Sequence, residues 1–219
     1  MTAKRPPRSR AGAILEALRA ARPDPRVELE HANPFQLLVA TILSAQCTDA
    51  RVNQVTKDLF RSYPDAAALA RAPLPDLEAA IRSTGFFRSK ARALSGCARA
   101  LMERHGGEVP RSMVEMTRLP GVGRKTANVV LGAGYGLPAG IVVDTHMVRL
   151  ARRLGLTRSA DPEAIEADLM RLARLAEHPA AMAALHREDR VAAAAHEREA
   201  ERHDGEEHLH AAERRLPAA

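Results

Sequence analysis

The sequence predicts an all-α protein, on three observations. Ala, Leu and Arg dominate the 219 residues, whereas aromatic residues make up only 3%. Such a composition suits helices, because alanine and unbranched side chains lose little freedom there. Apolar residues recur at helical spacing. Pro64, Pro73, Pro75, Gly85, Pro110, Pro120 and Gly121 then cut the middle of the chain into short helices rather than strands.

Taken in order, Ala11–Ala21 carries an apolar stripe of Ile14, Leu15 and Leu18. Asn33-Pro34 pairs a capping residue with a proline suited to a helix start. The run Phe35–Leu43 behind it is almost wholly apolar, so this helix should be central and buried. Thr48 or Asp49 can cap the next helix, with Val52, Val55, Leu59 and Phe60 on one face. Ser89–His105 reads as a longer helix with a basic outer side. Met113–Leu119 and Thr126–Gly132 read as short helices joined by a tight turn. Ile141–Val143 is too short for a sheet. Asp144 caps Thr145–Leu154, and Pro162–Leu175 is one more helix.

An apolar content of 46% is enough for a real core in one or two small domains. The net charge of +6 is uneven: basic residues dominate 1–175, and acidic residues outnumber them in 176–219. A basic body points to a polyanionic partner, with nucleic acid foremost. Two cysteines, Cys47 and Cys97, exclude a disulfide framework and fit a reducing cytosol. No apolar run is long enough for a membrane span. The basic start, 1–10, lacks the apolar stretch of a secretory signal and reads as a flexible arm. Six histidines of the tail (His178, His186, His196, His203, His208 and His210) are irregularly spaced and read as solvated residues rather than metal ligands.

The most informative segment is Leu119-Pro-Gly-Val-Gly-Arg-Lys-Thr-Ala127. Gly121 and Gly123 permit a tight hairpin with positive φ where needed. Val122 between them can tuck down as an apolar plug. A helix starting near Arg124 aims its free amides, including those around Lys125 and Thr126, outward. With the positive end of the helix dipole these can hold a phosphate. Such a turn grips a nucleic-acid backbone without reading sequence.

In this segment the chain resembles the endonuclease III branch of the helix-hairpin-helix DNA glycosylases. Further blocks agree in order: Asn33-Pro34-Phe35, Leu43-Ser-Ala-Gln-Cys-Thr-Asp49, Gly85-Phe-Phe-Arg-Ser-Lys-Ala91, Gly107-Glu-Val-Pro110 and Val142-Val-Asp-Thr-His146. The resemblance runs from about Ile14 to about Leu172, and ordered motifs together are far more specific than any one alone. It implies a two-lobed all-α fold. Residues 30–137 would form a six-helix lobe carrying the helix-hairpin-helix at about 113–132. Residues 11–29 and 138–175 would form the second lobe, with DNA in the cleft between.

The same resemblance implies a bifunctional DNA glycosylase and abasic-site lyase of base-excision repair, acting on oxidised pyrimidines and abasic sites in double-stranded DNA. Lys125 and Asp144 match the family's catalytic pair. A neutral lysine amine can displace a base from C1′ of deoxyribose and form an imine, which a carboxylate or water cannot do. Asp144 would stabilise positive charge developing on the sugar or assist proton movement around the amine. Gln46 falls where the family inserts a polar plug into the duplex, and Phe86 where it supplies an apolar wedge. Read from residue type alone, Gln46 is a polar residue at a helix end and Phe86 a core residue. Asp49 and His146 match positions near the pocket.

The resemblance also implies a monomer that acts in the cytoplasm at the nucleoid. The family usually holds a [4Fe–4S] cluster on four C-terminal cysteines. Those ligands are absent here, so no cofactor is expected. The family pattern stops near Leu172, and the Ala/Glu/Arg/His-rich segment 176–219 is atypical. A change of reading frame in a GC-rich gene would produce such a tail. The competing reading of the chain is a non-catalytic or degenerate hairpin protein that binds DNA without cutting it.

Overall fold

The computed structural model describes residues 8–21, 23, 27–137 and 139–177. The expectations for the atypical tail fall almost wholly outside these residues. Among these described residues ten α-helices follow one another: α1 Arg8–Ala21, α2 Pro34–Leu43, α3 Asp49–Ser62, α4 Ala66–Ala70, α5 Leu74–Ala80, α6 Phe87–His105, α7 Met113–Met116, α8 Arg124–Val129, α9 Thr145–Arg153 and α10 Pro162–Glu177. A 3₁₀ turn at Arg82–Thr84 precedes α6, and a π-helical turn at Val130–Gly134 continues α8. Among the described residues there is no strand, as the all-α reading expected.

Helix α2 is the pivot. Asn33 Oδ1 accepts from the Gln36 N–H at 2.9 Å, and Gln36 Oε1 accepts from the Ala32 N–H at 2.8 Å. This reciprocal capping satisfies one donor that helix geometry leaves unpaired, on Gln36, and one on the residue before the cap, Ala32. Leu37, Leu38, Val39, Ala40, Ile42 and Leu43 are all buried. A helix apolar on every side must be enclosed, and α3, α6, α8 and the π-turn pack around it. Thr48, rather than Asp49, caps α3 by accepting from the Arg51 N–H.

Two apolar clusters result. The larger is built from buried residues between Leu29 and Leu131. The smaller joins Val143, Ala151, Ile165 and Leu169. Helix α1 packs on α10, and an apolar cleft of about 170 Å³ lies between α1, α9 and α10. The segment from 30 to 137 holds seven α-helices, α2–α8, rather than six, because Pro73 separates α4 from α5. Helix α1 begins at Arg8, inside the segment expected to be an arm.

Candidate active site

The hairpin consists of α7, the turn Thr117–Gly123 and α8. Gly121 takes φ +76°, and a Cβ there would meet the Ala93 Cβ at 2.7 Å. Glycine is therefore required twice over, by backbone conformation and by the close approach of the turn to α6. Gly123 differs from the expectation. Its φ of −90° is ordinary extended backbone, and a Cβ there would meet nothing within 4 Å. What Gly123 provides is open space in front of the α8 N-terminus. Val122 is buried, as the plug reading expected, and its N–H donates to the Leu119 carbonyl at 3.1 Å.

Lys125 is exposed in the first turn of α8, and Thr126 beside it is half-buried. Asp144 is the N-cap of α9: its Oδ1 accepts from the Met147 N–H at 2.8 Å. Asn128, one turn along α8 from Lys125, donates from Nδ2 to the carbonyl of Ile141 at 3.3 Å. That bond ties α8 to the segment leading into Asp144. His146 is exposed, with Nδ1 3.3 Å from Arg149 Nη2. Asp49 is half-buried in the first turn of α3.

Arg124 is turned elsewhere. Its Nε donates to Glu166 Oε2 at 2.6 Å and its Nη2 to Oε1 at 3.2 Å, a two-point ion pair. Asn128 Nδ2 adds a third bond to Oε1 at 2.9 Å. Burial works against the Glu166 charge, but the hydrogen bonds from Arg124 and Asn128 outweigh it and hold the carboxyl below its usual range. Glu166 and Asn128 went unnoticed in the sequence. One signal was available: Glu166 stands beside Ile165 and three residues before Leu169, at the edge of the apolar stripe of α10.

Gln46 and Phe86 share a feature that residue type does not announce. Both have left-handed backbone, at φ +52° and +47°, and no other non-glycine residue among those described has positive φ. Such conformations cost roughly 1–2 kcal/mol each and concentrate at functional sites. Gln46 is exposed. Phe86 is 67% exposed, so the core-packing reading of it is overturned. Gly85, at φ +70° and ψ 157°, makes the reversal that projects Phe86 outward.

Cys47 lies in the loop after α2 and is half-buried, whereas Cys97 is buried in α6, where burial pushes its thiol up to about 12. Among the described residues no group of three or more His, Cys, Asp or Glu is placed to hold a metal.

Residues 39–175 match the HhH-GPD superfamily of base excision DNA repair proteins. An endonuclease III of Synechocystis sp. is 54% identical over 165 residues, covering 75% of this chain and 75% of that protein. The endonuclease III of Escherichia coli K12 is 40% identical over 159 residues, 73% of this chain and 75% of its own. Two solved structures are similar in fold. One, a non-covalent endonuclease III–DNA complex, has a TM-score of 0.73 and 45% identity over 76% of this chain and 78% of its own. The other, a trapped endonuclease III–DNA covalent intermediate, has a TM-score of 0.72 and 44% identity over the same shares. With its hairpin, its ordered motifs and these relatives in agreement, the chain belongs to the endonuclease III family within the HhH-GPD superfamily.

Proposed function

We propose that Lys125 and Asp144 carry the chemistry of this chain, a base-excision repair DNA glycosylase and abasic-site lyase whose partner is double-stranded DNA. The observation that supports the pairing most is the Asn128–Ile141 bond, because it spans two elements three residues from each member of the pair. Oxidised pyrimidines and abasic sites are the substrates, and the site of action is the DNA of the cytoplasm.

The damaged nucleotide leaves the stack, since its C1′ is out of reach inside the duplex. The neutral Lys125 Nζ forms a bond to C1′, and the base departs with the electron pair of the glycosidic bond and takes up a proton. Asp144 stabilises the positive charge that builds on the sugar. Ring opening gives an imine between Nζ and C1′. The imine acidifies the C2′ proton, whose removal expels the 3′ phosphate, and water then frees the lysine. Gly121, Val122 and Gly123 shape a turn whose open side faces the phosphate backbone, and the amides of α8 hold it. Gln46 and Phe86 occupy the space the extruded nucleotide leaves. Asp49 and His146 border the pocket.

The [4Fe–4S] cluster usual in the family does not fit this chain. It has only two cysteines, one in the loop after α2 and one buried in α6, whereas ligation of the usual kind takes four. We place the two apolar clusters in two lobes, with the DNA cleft between α8 and α9. Borohydride trapping on abasic duplex tests the assignment. Wild-type protein should cross-link, and Lys125→Ala should bind the duplex but not cross-link. Cross-linking by Lys125→Ala at the wild-type rate would refute it. A non-catalytic hairpin protein is the less favoured reading, because both members of the reactive pair are retained.

A further inference from the structure

Lys90 is a lysine only 5% exposed, near the start of α6. Its Nζ donates to the Leu43 carbonyl at 2.8 Å and to the Thr84 carbonyl at 2.8 Å. Leu43 is the last residue of α2, and Thr84 the last of the 3₁₀ turn. Each presents a carbonyl that helix geometry leaves without an internal donor, at the negative end of its element. One ammonium group thus closes two helix ends at once. Burial disfavours its charge, with the nearby Cys47 acting the other way, and the two carbonyls accept hydrogen bonds from the ammonium.

Both closed ends lead directly into a strained residue. Gln46 follows Leu43 by three residues, and Phe86 follows Thr84 by two. Left-handed backbone at Gln46 and Phe86 persists only where the surroundings over-determine it. The bonds around them are otherwise local: Cys47 N–H to the Ser44 carbonyl at 3.1 Å, and Lys90 N–H and Ser89 Oγ to the Phe86 carbonyl at 3.1 and 2.9 Å. Lys90 hydrogen-bonds next to both segments, through Leu43 and Thr84.

We propose that Lys90 is a positioning residue, which locks the loop carrying Gln46 and the loop carrying Phe86 into one rigid strand-parting unit. The function of that unit rests on the assignment of both side chains as DNA-inserting. Two side chains that enter a duplex together must keep a fixed spacing. Fixing that spacing in the free protein removes the ordering cost from the binding step. The chemistry of the clamp is specific: a long cationic donor reaches two acceptors that come from segments 41 residues apart in sequence, Leu43 and Thr84.

The test uses the full chain and a duplex bearing a tetrahydrofuran abasic analogue opposite 2-aminopurine, whose fluorescence reports unstacking. Lys90→Met keeps the apolar stem and removes the donors. Folded Lys90→Met should hold undamaged duplex as wild type does, while its 2-aminopurine response falls roughly tenfold, the scale set by unpaired buried acceptors. A full response from folded Lys90→Met overturns the proposal. Amide hydrogen exchange on the unaltered protein gives a test that needs no variant. Residues 44–47 and 84–87 should open with one common free energy, and unrelated protection of the two segments overturns the clamp. An unchanged response in both Gln46→Ala and Phe86→Ala would instead remove the insertion assignment. The functional half of the proposal would go with it, and the exchange result would still decide the clamp.

Discussion

Arg124 and Glu166 form a two-point ion pair, at 2.6 and 3.2 Å, across 42 residues of sequence. The pair joins the first residue of the hairpin's second helix to the second turn of α10. Arg124 is thus engaged with α10 at the residue next to Lys125. Its side chain remains 44% exposed, so one edge is still open to an anion.

Removal of the acid end should loosen the hairpin. Glu166→Ala leaves the Arg124 guanidinium to water and takes an acceptor from the buried Asn128 amide. Because Arg124 is partly solvated, the loss falls short of a fully buried pair, at about 1–3 kcal/mol. Denaturant unfolding measures it. The rate of imine formation on abasic duplex should fall as well, since α8 loses an anchor.

Acid should expose the same group. The Glu166 carboxyl is held below its usual value of 4.5: burial pushes upward, and the bonds from Arg124 and Asn128 pull further downward. The unfolded chain therefore binds the extra proton first as pH falls. The contribution of Glu166 is complete above about pH 4.5 and disappears as pH drops through the lower folded value. Glu166→Gln should flatten that part of the acid limb in unfolding curves taken at successive pH values. An acid limb identical to wild type would argue against it.

The two hairpin glycines should separate folding from binding. Gly121→Ala meets both a positive φ and the Ala93 contact, and should cost about 2–4 kcal/mol of stability. Gly123→Ala has ordinary φ and open space, so its unfolding midpoint should stay near wild type. If the proposed hairpin contact with the phosphate backbone holds, its added methyl obstructs that approach and its affinity for duplex DNA should fall. Unfolding curves and DNA titrations on the two variants check the contrast.

Much of this was legible in the chain because it is local. The apolar run 35–43 and the Asn33-Pro34 start fix α2 through residue type alone, and Pro120-Gly121 fixes the hairpin turn. The Arg124–Glu166–Asn128 cluster was not legible, because nothing in the spacing of residues 124, 128 and 166 reveals that tertiary packing brings them together. The left-handed backbone at Gln46 and Phe86 was hidden for another reason. Glycine and asparagine advertise such conformations, whereas glutamine and phenylalanine do not; only Gly85 hinted at a reversal. Lys90 left a fainter trace. It stands in register with Leu94, Cys97 and Leu101 on the buried side of α6, where a lysine requires internal acceptors.

The Cys97 thiol should report the packing of α6. Cys97 is 3% exposed and its pKa is pushed to about 12 by burial, so it should resist maleimide until the protein unfolds. Mass spectrometry of the native protein after brief labelling should find Cys97 unmodified. Rapid modification of Cys97 in folded protein would contradict the core described above.

The most direct measurement is the location of the covalent bond itself. Wild-type protein is trapped with borohydride on an abasic duplex, digested, and mapped by mass spectrometry. A reduced sugar adduct on the Nζ of Lys125, lost in Lys125→Ala, is the predicted result. An adduct on another lysine, with Lys125 unmodified, would contradict the assignment.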